Sequence, residues 1–241
     1  MKKTICMITA MLLMALLAAC GTEAPAQPSA EPSADPAPGG QMVGSWQIYE
    51  GEAASLPKDV QEAFDEACAA KTDVELVPVA LVGNQVVGGM NYKILCRQTA
   101  PAEEAGTLKV VEIYDSFEED AGITMISAFN LTAYTDGTGY KPDPEPIDGG
   151  WGSSAGASYA AIPEDAQAAF DKATADLKDG APALEALLAT QVVSGTNYMF
   201  LCSGDLGGEF PDRYQQVVIV YAGLDGNAQI TNVCTLDPAV L

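Results

Sequence analysis

Two stretches of the chain repeat one order of apolar and polar positions. Each stretch opens with an apolar face at helical spacing, carried by Val60, Ala63, Phe64 and Ala67 in the first of them. Each then continues with four apolar or alternating runs, which predict strands joined by short connections containing Gly, Asp or Asn. The predicted strands cover 74–82, 90–97, 108–116 and 123–131, and then 184–190, 196–203, 214–222 and 228–236. A further short strand is expected before the first helix, at 46–49.

The two stretches are copies of one unit, because matching residues keep a constant offset. Phe64 matches Phe170, and Cys96 matches Cys202, each 106 positions later. One amphipathic helix followed by antiparallel strands predicts an α+β fold, with the helix packed across a four- to five-stranded antiparallel sheet in each copy. We therefore expect two tandem domains, copy one at 42–140 and copy two at 149–241, joined by a Pro- and Asp-rich linker at 141–148.

The first forty residues predict a targeting signal followed by a spacer. Lys2 and Lys3 precede about fifteen mostly apolar residues, which are too few to span a membrane as a helix. This run ends in Leu17-Ala18-Ala19-Cys20, which resembles the lipobox of bacterial lipoproteins. The resemblance implies that residues 1–19 are removed as a signal peptide, that Cys20 carries a lipid, and that the protein is exported and anchored to the bacterial cell envelope. The alternative is an ordinary secretory signal cut near Ala19. Residues 20–41 are rich in Pro and predict an extended stalk.

Composition excludes several functions. The chain carries 11 Lys and Arg against 33 Asp and Glu, a formal net charge of −22, which would repel nucleic acid and anionic headgroups. It contains no histidine, so Ser-His-Asp and Cys-His catalytic groups and His-containing metal sites are excluded. No carboxylate pair has the signature of an active site, and no acidic loop has the EF-hand spacing. We therefore expect a non-enzymatic protein without a cofactor or metal ion.

One short motif occurs in both copies, at the predicted turn between the first two long strands. It has the form Gln-x-Val-x-Gly followed by Asn-Tyr, and it places two valines at a loop tip, where polar residues are usual. Because Gly89 and Gly195 lack a Cβ, we expect the backbone there to approach a partner closely. The alternative is that the glycines only close the turn and the valines cover their own core. The predicted contact residues are Gln85, Val86, Val87, Gly88 and Gly89 in copy one, and Gln191, Val192, Val193, Ser194 and Gly195 in copy two.

This motif, with a helix upstream of it, resembles the cystatin family of inhibitors of papain-like cysteine proteases. The resemblance covers roughly 42–135 and 148–238 and implies that the tips enter the protease cleft beside an N-terminal glycine, for which Gly44, Gly149 and Gly150 are the candidates. Secreted cystatins carry Pro-Trp on a second hairpin loop, and neither copy has it, which weakens the third contact. The implied function is a membrane-anchored, monomeric inhibitor that blocks the active-site cleft of a host or competitor papain-like protease. The alternative is a non-inhibitory cell-surface module that binds another protein with the same loops.

Four cysteines remain after the signal and the lipidated Cys20. Cys68 and Cys96 could form a disulfide within copy one, and Cys202 and Cys234 could form one within copy two, because export permits disulfides. Free buried thiols are the equally favoured alternative, and the sequence does not choose between them.

Overall fold

The computed structural model describes residues 43–135, 149–153, 162–177, 182–204 and 215–241. All of these belong to one structural unit of the chain, which spans 38–241. The predicted signal peptide at 1–19, the lipidated Cys20, the stalk at 20–41 and the linker at 141–148 lie outside the described residues. Neither helix among the described residues is long and apolar enough to cross a membrane.

Copy one forms a five-stranded antiparallel sheet with one long helix between its first two strands. The strands pair in chain order, so the sheet is a simple meander. The elements are β1 (Trp46–Ile48), α1 (Lys58–Ala69), β2 (Glu75–Val86), β3 (Gly89–Ala100), β4 (Leu108–Ser116) and β5 (Gly122–Ala128).

Copy two repeats this order and this pairing. Its first strand, which the sequence indicated clearly only in copy one, is also present and pairs with the following long strand. The elements are β6 (Trp151–Ser153), α2 (Glu164–Thr174), β7 (Ala183–Val193), β8 (Gly195–Ser203), β9 (Gln215–Gly223) and β10 (Ala228–Thr235). The prediction of an α+β fold with two helix-and-sheet units is confirmed, and each sheet has five strands.

Each helix packs its apolar face across one face of its own sheet. Pro57 and Pro163 precede the first helical residues, where the missing N–H of proline is tolerated. In copy one, Val60 and Phe64 are buried against Ile94 and other sheet residues. The corresponding core of copy two contains Ala166, Phe170, Tyr198 and Phe200, and the two Phe rings meet edge to face at 5.3 Å between centroids.

The opposite faces of the two sheets pack against each other and form a third core that both copies share. Val82 and Leu95 of copy one lie in one buried cluster with Leu188 and Leu201 of copy two. Polar contacts also cross this interface: the Gln215 side-chain amide donates to the main-chain oxygen of Leu81 at 2.7 Å, and the Ala54 main-chain N–H donates to Glu185 at 3.0 Å. The layers therefore run helix, sheet, sheet, helix. The sequence predicted two tandem domains but not the core that they share.

The four cysteines are free thiols in the structure. Cys202 faces the helix side of the second sheet, whereas Cys234 packs against the shared core on the other side. Their strands, β8 and β10, are separated by β9, so their Cα atoms lie roughly 9–10 Å apart, beyond disulfide reach. The suggested Cys202–Cys234 bridge does not fit this geometry. Cys68 and Cys96 do share one core, and burial raises the pKa of Cys68 to about 11 and that of Cys96 well above its ordinary value.

Candidate functional site

Three segments of copy one lie side by side at one end of its sheet, and we call them edge 1. They are Val43–Ser45, the hairpin tip Val86–Gly89, and the turn from Ser116 to Ala121. The Gly44 main-chain N–H donates to the oxygen of Val86 at 2.8 Å, which joins the first segment to the second. Gly89 lies opposite Ser116 in the β3–β4 pairing, which places the third segment beside the tip.

Copy two builds the same arrangement, edge 2, from Gly149–Gly150, Val192–Gly195 and Gly223–Asn227. The Gln191 side-chain amide donates to the main-chain oxygen of Gly149 at 2.7 Å. Gly195 lies opposite Gly223 in the β8–β9 pairing. Because the order of the three segments is set by the meander, both copies present them at the end of the sheet where the first hairpin turns.

The two edges carry most of the large apolar side chains that the described residues expose. The hairpin-tip valines Val192 and Val193 are 69% and 43% exposed, Val87 is 37% exposed, and Val86 is half-buried. Six of the eight exposed large apolar residues belong to the edges; they are Val43, Val87, Phe117, Val192, Val193 and Leu224. Exposed apolar groups gathered on a rigid edge are typical of surfaces that bind another protein.

Most of the repeated motif serves to hold its valines in place. In copy one, the Asn91 side-chain amide donates to the Gln85 side-chain oxygen at 2.7 Å, and Gln85 donates onward to the oxygen of Gly44 at 3.0 Å. Asn197, Gln191 and Gly149 form the same chain in copy two, with the Asn–Gln bond at 2.7 Å. These bonds fasten the N-terminal segment of each edge to its hairpin.

The tyrosine of each motif anchors the hairpin below its tip. Tyr92 and Tyr198 are buried beneath their helices. The Tyr198 hydroxyl donates to Asp165 on α2 at 2.9 Å. Burial is the largest cause that raises the pKa of both tyrosines, that of Tyr92 to about 12.

The backbone conformation explains the glycine of each N-terminal segment. Gly44 has φ +87° and Gly149 has φ +84°, a left-handed conformation that disfavours residues with a Cβ. Since Gly149 makes the bond to Gln191, it is the counterpart of Gly44, and its half-buried neighbour Gly150 corresponds to Ser45.

The reason for Gly89 and Gly195 is different from the one inferred from the sequence. Both are buried, and a Cβ on Gly89 would lie 2.3 Å from the main-chain oxygen of Asp115 on β4. A Cβ on Gly195 would lie 2.3 Å from the oxygen of Ala222 on β9, and the φ of +151° at Gly195 also disfavours a side chain. These glycines are therefore required by the close approach of the neighbouring strand in the same sheet. They are not evidence that the backbone of a binding partner approaches at these two positions, as we expected from the sequence. Gly88 and Ser194, one residue earlier, are exposed at the tips.

Sequence reasoning missed two residues of the edges, Phe117 and Leu224. They are 85% and 88% exposed, on the turns that follow β4 and β9. The signal was a large apolar residue inside a short polar turn, although the three acidic residues directly after Phe117 are more typical of a solvated turn than of a binding surface. The Ser116 hydroxyl accepts the main-chain N–H of Glu119 at 2.7 Å, which shapes this turn.

The electrostatics of the two turns differ. Edge 1 exposes Glu118, Glu119 and Asp120 beside Phe117. In edge 2, Asp225 accepts the main-chain N–H of Asn227 at 3.0 Å, and this bond is the largest cause that holds the pKa of Asp225 below its ordinary value. No cluster of three potential ligands for a metal ion occurs among the residues that the structure describes.

No family model matches the chain, and no curated protein is significantly similar to it in sequence.

Proposed function

We propose that the protein is a cystatin-like inhibitor of papain-like cysteine proteases that acts through its two edges. The observation that carries the proposal is the side-by-side arrangement of an N-terminal glycine segment and two hairpin turns, each bearing an exposed apolar residue, at one end of each sheet. These are the three elements that the resemblance to cystatins assigns to protease contact. Phe117 and Leu224 stand on the turn where secreted cystatins carry Pro-Trp.

Each edge would act as a wedge that fills a cleft and does not react. Its segments are held by strand pairing and by the Gln–Asn hydrogen bonds, so little conformational entropy is lost on docking. Complete burial of one Val, Leu or Phe side chain contributes about 1.5–3 kcal/mol, and each edge exposes three such side chains. The tips would cover the catalytic thiol of the protease, and no group of the inhibitor would need to ionise. The protein would therefore act without being an enzyme.

The anchor belongs to the same proposal. Cleavage after Ala19 and lipidation of Cys20 would place the chain at the bacterial cell envelope, with the Pro-rich segment 21–41 as a spacer. An anchored inhibitor would protect the cell from proteases that reach its surface. The acidic surface would keep the domains soluble while the lipid holds the protein at the membrane.

Inhibition of papain by the chain lacking residues 1–20 tests the proposal. We expect dose-dependent loss of papain activity at or below micromolar inhibitor. A variant with Val87→Asp, Phe117→Asp, Val192→Asp and Val193→Asp should lose inhibition, because each substitution places a charge where apolar contact is needed. Val233→Asp is the matched control, since Val233 is similarly exposed on β10, away from both edges. Full papain activity at saturating wild-type protein would refute the proposal.

A non-inhibitory binding module is the second candidate, and the three acids beside Phe117 favour it. A partner with a basic rim would gain attraction from them that an uncharged protease cleft would not. Unchanged papain activity, together with capture of a basic envelope protein by wild-type chain but not by the four-site variant, would favour this candidate.

A further inference from the structure

We infer that one molecule binds two protease molecules at the same time, one at each end. This inference rests on the proposed function and goes beyond it, because two inhibitory edges could also face one partner or exclude each other. The decision between these cases depends on where the two tips point, and the contacts between the sheets determine that direction.

The two sheets lie in opposite orientations across the shared core. The tip of each sheet is the end that carries its first hairpin turn, and the base is the other end. Gln215 begins β9, at the end of the second sheet far from its tip, and its side chain donates to Leu81, midway along β2. Farther toward the tip of the first sheet, Lys93 donates to the main-chain oxygen of Pro238 at 2.7 Å, and Pro238 follows β10. The chain beyond the base of the second sheet therefore covers the tip half of the first.

The segment that follows β5, at the base of the first sheet, indicates the same orientation. Asn232 lies midway along β10, and its side-chain amide donates to the main-chain oxygen of Tyr134 at 2.7 Å. Tyr134 follows β5, at the base of the first sheet. Ala133, beside Tyr134, lines one cavity with Gln191 and Val193 at the tip of the second sheet. The base of each sheet therefore lies beside the tip half of the other, and the two hairpin tips lie at opposite ends of the unit.

The separation of the tips leaves room for two partners. Leu81 lies about five residues from the tip of the first sheet, and Gln215 lies about eight residues from the tip of the second. About thirteen residues of strand at ~3.4 Å each place the tips roughly 44 Å apart. A protease of about 210 residues has a diameter of roughly 40 Å. Two such molecules that approach from opposite ends would not overlap.

The shared core also fixes the two edges relative to each other. The Lys93 side chain is 4% exposed, donates to Pro238 and also to Leu241 at 3.2 Å, and lies 4.3 Å from the centroid of the Trp46 ring. Together with the buried apolar cluster, these contacts leave no free hinge between the described parts of the copies. Binding at one edge would therefore leave the other edge in position for a second partner.

The stoichiometry with papain tests the inference, measured by native mass spectrometry and by light scattering during size-exclusion chromatography. The chain lacking residues 1–20 should form a complex of two papain molecules with one chain. The Val87→Asp, Phe117→Asp variant and the Val192→Asp, Val193→Asp variant should each bind one papain, and Val233→Asp should still bind two. Circular dichroism of every variant checks the fold.

The outcomes separate this inference from the proposed function. Saturation of the wild-type chain at one papain, with inhibition intact, would overturn the two-ended inference and leave the inhibitory function standing. One papain bound by wild type and by both edge variants would show that the edges compete, and would overturn it too. Absence of any complex would refute the proposed function itself.

Discussion

A methyl group added at Gly89 should push the first hairpin away from its neighbouring strand. The added Cβ would lie 2.3 Å from the Asp115 oxygen and 3.1 Å from the Cα of Ser116, and both atoms are backbone, so no side-chain rotation can relieve the contact. An ordinary carbon–oxygen contact requires about 1 Å more. The end of β3 must therefore separate from β4. At Gly88, one residue earlier, the nearest atom to an added Cβ is the Tyr114 hydroxyl at 3.8 Å, so an alanine fits without movement.

The magnitude follows from two opposing terms. Overpacking against fixed neighbours costs about 1–3 kcal/mol. Loss of glycine freedom in the unfolded chain returns about 0.4–1 kcal/mol, and this gain applies to both variants. Gly88→Ala should thus be neutral or slightly stabilising, and Gly89→Ala should be less stable than Gly88→Ala by about 1–3 kcal/mol. For a unit of this size, that corresponds to a difference in Tm of roughly 2–12 °C.

Thermal unfolding of wild type, Gly88→Ala and Gly89→Ala, followed by circular dichroism, measures this difference. The expected order of Tm has Gly89→Ala lowest and Gly88→Ala at or above wild type. If Gly89→Ala unfolded at the same temperature as Gly88→Ala, the β4 strand would not be the reason for glycine at this position. The sequence-based explanation, that Gly89 allows a partner to approach the backbone closely, would then be favoured instead.

Three further results are expected. Lys93→Ala should lower the free energy of unfolding by about 2–4 kcal/mol in urea titrations, because Pro238 loses its buried donor. Lys93→Met removes the same donor but keeps the buried chain length, so it should still be less stable than wild type, by a smaller amount. Wild-type stability of Lys93→Met would contradict the hydrogen-bond argument. Native protein should label slowly with a thiol reagent at Cys96 and Cys202, whose pKa values burial raises, and fast labelling there would contradict their burial. Folding raises the pKa of Cys68 from about 9 to about 11, so between these pH values the unfolded chain loses the thiol proton while the folded chain keeps it. The free energy of unfolding should therefore fall as pH rises from 9 to 11. Cys68→Ala should reduce that fall in alkaline urea titrations, and an unchanged fall would refute it.

The helix and strand pattern was predictable because one face of each element carries its apolar residues. Val60 and Phe64 recur at helical spacing, and both are buried as expected. The shared core was not predicted, although a signal was present. The run Val79–Val82 is apolar without alternation, which is typical of a strand buried on both faces, and all four residues are buried.

The site was predictable in part. The valines of both motifs mark the tips, and their partial exposure agrees with the sequence-based expectation. The role of Gln85 was not predictable, because its bond to Gly44 joins residues 41 positions apart that only the β1–β2 pairing brings together. The role of Gly89 was misjudged for a similar reason, since Asp115 reaches it only through the β3–β4 register.

Binding to papain with an open or a filled active-site cleft tests the inhibitory edges most directly. The chain lacking residues 1–20 would be titrated, by calorimetry, into free papain and into papain whose cleft is occupied by a covalently attached peptidyl inhibitor. If the edges bind in the active-site cleft, binding to free papain should be sub-micromolar and binding to the filled enzyme should not be detectable. Equal affinity for both forms would place the contact outside the cleft and would contradict the account.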